Sequence, residues 1–84
     1  MESVRQRLVR VIAQEFRLDP LKITPEFVYV QLIERGSGDT DDFLTALEDE
    51  FFIIISEDEL YRYPTIKSLV PHIRWSMRRP APDD

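Results

Sequence analysis

Eighty-four residues, 43% hydrophobic and 32% charged, describe one small folded domain, too apolar for a disordered chain and too short for a second core. The absence of cysteine excludes a disulfide framework, a thiolate zinc site and a thiol nucleophile. The net charge of -5 disfavours binding to nucleic acid or acidic membranes, and no apolar run is long enough for a membrane span or a signal-peptide core, so a cytoplasmic setting is expected.

Taken in order, Val4, Leu8, Val11, Ile12 and Phe16 recur at three- and four-residue spacing, which predicts a helix over 3–18 with Ser3 as N-cap. Asp19-Pro20 is expected to end it. The connection over 19–38 holds Pro20 and Pro25 but also Leu21, Ile23, Phe27, Val28, Val30, Leu32 and Ile33. So many apolar residues do not belong in a free linker, and the segment is expected to lie across the core as a structured loop with room for a helical turn. Val28-Tyr29-Val30 has strand propensity but no evident second strand to pair with.

A second helix is predicted over 39–51, with Phe43, Leu44, Leu47 and Phe51 inward and Asp39, Asp41 and Asp42 at the positive end of the helix dipole. Residues 51–55 form the most apolar run; their β-branched content permits a strand, the simplest reading is an extended connector that plugs part of the core, and burial within the chain or in an interface stays open for 52–55. Ser56 followed three residues later by Glu59 reads as a capping box for a short third helix ending before Pro64. Thr65 can cap a fourth helix facing inward through Ile66, Leu69, Val70, Ile73 and Met77; Pro71 would kink a helix started there and fit the first turn of one started at Ser68, so a distorted beginning is expected. The expected organisation is one all-α domain over 1–79 and a flexible tail over 80–84.

Charge is distributed unevenly along the chain. Nine acidic residues and no lysine or arginine lie between positions 36 and 60, while Arg5, Arg7, Arg10 and Arg17 lie before that interval and Arg74, Arg78 and Arg79 after it. The middle of the chain is therefore expected to present a negative face to a basic partner. Ser37, held between Gly36 and Gly38 at the mouth of the acidic helix, is expected to expose its hydroxyl as an attachment point.

Helix, long apolar loop, serine before an acidic helix, short third helix and closing helix is an order that resembles the acyl carrier protein family. Ala46-Leu47-Glu48-Asp49-Glu50-Phe51 matches that family's second-helix signature, and Ile55-Ser56-Glu57-Asp58-Glu59 resembles its Ile-Pro-Asp-Glu-Glu segment. Pro64-Thr65-Ile66 resembles its Thr-Thr-Val, and the register runs without a gap from about Val4 to Ile73. The resemblance implies an acyl-carrier-protein-like four-helix bundle, monomeric and without catalytic activity. It places Ser37 at the serine that carries a covalent 4'-phosphopantetheine arm, the cofactor on which an acyl thioester travels, with Phe43, Leu47 and Ile66 among the residues that would shelter the chain. Asp39, Asp41, Asp42, Glu48 and Asp49 fall on the surface that meets basic docking patches of a phosphopantetheinyl transferase and acyl-processing enzymes. The sequence departs from the family at the serine itself, where Gly36-Ser37-Gly38 replaces Asp-Ser-Leu. A carrier-like interaction module in which Ser37 stays unmodified and the acidic face binds partners is the alternative.

Other constellations lack the required parts. The aspartates around Asp39 do not have EF-hand spacing, Gly36-Ser37-Gly38 has no P-loop lysine after it, and His72, the only histidine, has no evident nucleophile beside it. His72 is expected as a surface or boundary residue of the last helix, and Trp75 is expected to pack partly against the first helix, with a partner contact as the alternative.

Overall fold

The computed structural model describes residues 2–36 and 40–78. Their architecture is all-α: α1 (Val4–Phe16), a 3-10 turn (Pro20–Lys22), α2 (Val30–Glu34), α3 (Thr40–Phe51), α4 (Glu57–Arg62) and α5 (Ile66–Arg78). The predicted second, third and fourth helices are therefore α3, α4 and α5. The count of four is corrected to five, because part of the expected loop closes into α2.

α1 begins where Ser3 and Gln6 exchange bonds, each side chain taking the other's backbone N–H at 3.1 and 2.8 Å. It ends earlier than Asp19-Pro20 requires. Arg17 turns left-handed at φ 55, and the amides of Arg17 and Leu18 both return to the Ala13 carbonyl. Leu8, Val11, Ile12 and Phe16 are buried from this helix.

The 19–36 part of the 19–38 connection does cross the core. Ile23, Tyr29 and Val30 are buried, and Val28 forms an isolated antiparallel bridge with Thr65. The partner that the sequence did not reveal is thus the turn entering α5, whose Ile66 and Lys67 amides bond the carbonyls of Phe27 and Pro25. No strand occurs among the described residues.

Phe43, Leu47 and Phe51 are the buried residues of α3, with Leu44 only half-buried. The connector that follows splits by alternation: Ile53 and Ile55 enter the core, whereas Phe52 and Ile54 face solvent. The expected capping box at α4 is absent. Ser56 is the N-cap but its side chain bonds no backbone amide, reaching only the Glu59 carboxylate at 3.4 Å. A reciprocal box instead starts α5, where the Thr65 hydroxyl accepts from the Ser68 amide at 3.1 Å and the Ser68 hydroxyl from the Thr65 amide at 3.0 Å.

α5 runs through Pro71 as one helix. Pro71 is exposed, and having no N–H it cannot donate to the Lys67 carbonyl four residues earlier. Ile66, Leu69, Val70 and Ile73 are buried as expected, but Met77 is exposed, because the inward stripe ends before the last turn. The expected tail over 80–84 lies outside the described residues.

One core joins these elements. Phe43 is its centre, edge-on to Phe16 at 5.3 Å and to Tyr29 at 5.8 Å between ring centroids. α1 packs on both α3 and α5. Arg7 ties α1 to the end of α3: its guanidinium bonds the Glu50 carboxylate and carbonyl and lies 4.7 Å over the Phe51 ring.

Candidate functional site

Ser37 and Asp39, two of the residues singled out from sequence, lie outside the described residues, as does Gly38. The segments on either side are described. α2 leads into Arg35 and Gly36, and Gly36 takes φ 72, a left-handed conformation that suits a residue without a side chain. α3 begins at Thr40, with Asp41 and Asp42 in its first turn, where carboxylates are favoured by the helix dipole.

The acidic display of α3 follows from helical geometry. At about 100° per residue, Phe43, Leu47 and Phe51 define an inward arc, and Asp41, Asp42, Thr45 and Asp49 fall on the opposite one. All four are exposed. The two remaining acids occupy the edges and make structural contacts. Glu50 meets Arg7 at 2.8 Å and Arg10 at 3.1 Å, and Glu48, half-buried, accepts the Ile55 amide at 3.2 Å. Among the expected docking residues the structure therefore brings Asp41, Asp42 and Asp49 together on one exposed face, and gives Glu48 an additional role in holding the connector after α3. Glu57 and Asp58 at the start of α4 are exposed too.

Phe43, Leu47 and Ile66, the residues expected to shelter a bound chain, are all fully buried in the common core. A guest among them has to part those side chains. A surface groove of about 820 Å³ lies along α1 and the 3-10 turn, lined by Val9, Ala13, Leu18 and Leu21 among others, and takes no residue from α3.

Two clusters escaped the sequence reading. Tyr29 is fully buried and its hydroxyl has one proton to share between the Leu60 carbonyl at 3.1 Å and the Tyr63 carbonyl at 2.5 Å, which fastens α2 to the end of α4. Burial pushes its phenol well above the ordinary tyrosine range. Tyr61 is raised as well, by desolvation first and then by the Glu34 and Glu57 carboxylates. In the second cluster His72 meets Glu59 at 2.6 Å and stacks with Tyr63 at 4.4 Å and with Trp75 at 5.7 Å between ring centroids. His72 is half-buried, a boundary residue of α5 in its burial as expected, and Trp75 stacks on His72 and stays half-exposed. The only sequence signal for either cluster was an aromatic residue within an otherwise aliphatic or polar stretch.

Among the described residues no group of three or more His, Cys, Asp or Glu is placed to hold a metal ion, and no helix is long and apolar enough to cross a membrane. No protein-family model matches the chain.

Proposed function

We propose that this chain is an acyl-carrier-like protein that holds an acyl group as a thioester on a phosphopantetheine arm attached through a phosphodiester to Ser37. The observation that carries the reading is the outward display of Asp41, Asp42 and Asp49 on a helix that begins three residues after that serine in the chain. A phosphate attached beside a helix N-terminus is favoured by the helix dipole, and a rigid helix gives a swinging arm a fixed base. The all-helical order, with a long core-crossing connection before the acidic helix and a short helix after it, supports a carrier-like bundle.

On this reading the chain is a carrier and not a catalyst. Basic patches on a phosphopantetheinyl transferase and on acyl-processing enzymes would meet the α3 face, where charge supplies orientation and association rate more than affinity. An acyl chain sheltered in the bundle would enter between Phe43, Leu47 and Ile66.

Gly36 and Gly38 in place of aspartate and leucine favour a second reading, an unmodified interaction module that uses the same acidic face. The two separate at Ser37. Incubation with coenzyme A and a broad-specificity phosphopantetheinyl transferase should raise the intact mass by one arm, and Ser37→Ala should prevent the gain without altering the thermal midpoint. No gain by the folded protein, with this enzyme and with the transferase of the source organism, would sink the carrier reading. Under the second reading Ser37→Ala is silent while Asp42→Lys breaks partner binding.

A further inference from the structure

Phe52 and Ile54 are 91% and 72% exposed, while Ile53 and Ile55 are buried at 7% and 4%. The alternation sets the two exposed side chains on the outward side of one connector, about 7 Å apart for an extended chain. Single exposed apolar residues are common and need no explanation. Phe52 has a second peculiarity. It follows the last residue of α3 with φ 55, the left-handed conformation in which glycine is least strained and a Cβ is crowded. Phenylalanine therefore gains neither burial nor backbone ease at this position. What it supplies is an aromatic ring in solvent.

The exposed charges near this pair in sequence are acidic, and the two arginines that reach the end of α3 from α1, Arg7 and Arg10, are paired with Glu50. Asp49 lies about one turn earlier on α3, and Glu57 and Asp58 open α4. We infer that Phe52 and Ile54 form the apolar anchor of a docking surface for a partner protein that presents an apolar patch ringed by lysine and arginine. Charge selects this occupant. A twofold pair of copies would set Asp49, Glu57 and Asp58 against their own equivalents, and an anionic membrane would meet the same repulsion. An aromatic anchor within a charged rim lets burial set affinity while charge sets specificity and association rate. The inference rests on the acidic-face reading and not on an arm at Ser37.

The test titrates the full chain with a synthetic amphipathic helix of leucine and lysine. A serine-lysine peptide of equal charge and a leucine-glutamate peptide serve as controls. The leucine-lysine peptide should bind at least about tenfold more tightly than either, and the double variant Phe52→Gly with Ile54→Ser should lose about that factor. Phe52→Gly alone should keep the thermal midpoint at or above that of the parent, because glycine takes the left-handed turn without a crowded Cβ. Equal binding by the double variant overturns the anchor, even if Asp49→Lys weakens binding and so leaves the acidic face standing alone. A falling midpoint in Phe52→Gly overturns it in favour of a structural role. A concentration-dependent dimer abolished by the double variant, or binding to phosphatidylglycerol vesicles, overturns it in favour of a second copy or a membrane.

Discussion

Tyr29 illustrates how one side chain can join distant parts of a small helical protein. It is fully buried, it touches Phe43 edge-on, and its hydroxyl is the link from the start of α2 to the carbonyls that end α4. Tyr29→Phe should cost about 1–2 kcal/mol at neutral pH, because two carbonyls lose a donor while the ring remains. The pH dependence has a defined sign. The fold disfavours the ionised phenol, so the folded-state value lies above the unfolded value of about 10; the stability is intact below that pH and is lost as pH rises toward the folded value. Urea midpoints measured on either side of pH ~10 should fall for the parent and fall less for Tyr29→Phe. Equal slopes would mean that Tyr29 is not the group responsible.

Among the elements, α4 and α5 show that a capping motif in sequence is a possibility that geometry takes up or leaves. Ser56 and Glu59 have the spacing of a capping box, yet Glu59 is drawn to His72 and Ser56 bonds no amide. Thr65 and Ser68, a less usual pair for the motif, form the reciprocal bonds. Thr65→Ala should therefore destabilise by about 1 kcal/mol, while Ser56→Ala should change stability by less than about 0.5 kcal/mol. Denaturant midpoints of the two variants, side by side, check this ordering; the reverse ordering would restore the box at α4. α3 shows the same division of labour along one helix, with Glu50 committed to Arg7 and Arg10 while Asp42 and Asp49 stay exposed.

At the scale of the molecule the buried residues of all five helices belong to one cluster, and the radius of gyration is 12.2 Å, near the ~12 Å expected for this length. A domain this small has no second core to fall back on. Leu47→Ala, at a fully buried position of α3, should cost about 2–5 kcal/mol, a large part of the ~5–15 kcal/mol typical of a whole domain. Urea unfolding with an unchanged slope and a lower midpoint is the expected result; no shift would place Leu47 outside the core. The acidic display is also a whole-molecule property, since Arg7 and Arg10 of α1 neutralise the carboxylate of Glu50 that borders it.

The helical class, the inward stripe of α1, most of those of α3 and α5, and the acidic character of the middle of the chain are legible in the residues alone. Each is written in residues a few positions apart, within reach of helical periodicity or a single turn. The sequence also drew attention to Ser37, by its place before the acidic helix. Tertiary structure decided which acids stand outward and which are held, where the Tyr29 hydroxyl bonds, and which half of the 52–55 connector enters the core. Those outcomes depend on partners far away in the chain: Arg7 lies 43 residues from Glu50, and Tyr29 lies 31 from Leu60 and 34 from Tyr63. No local spacing encodes such pairs, because they exist only once the helices have packed and the core has fixed which side of each one remains in water.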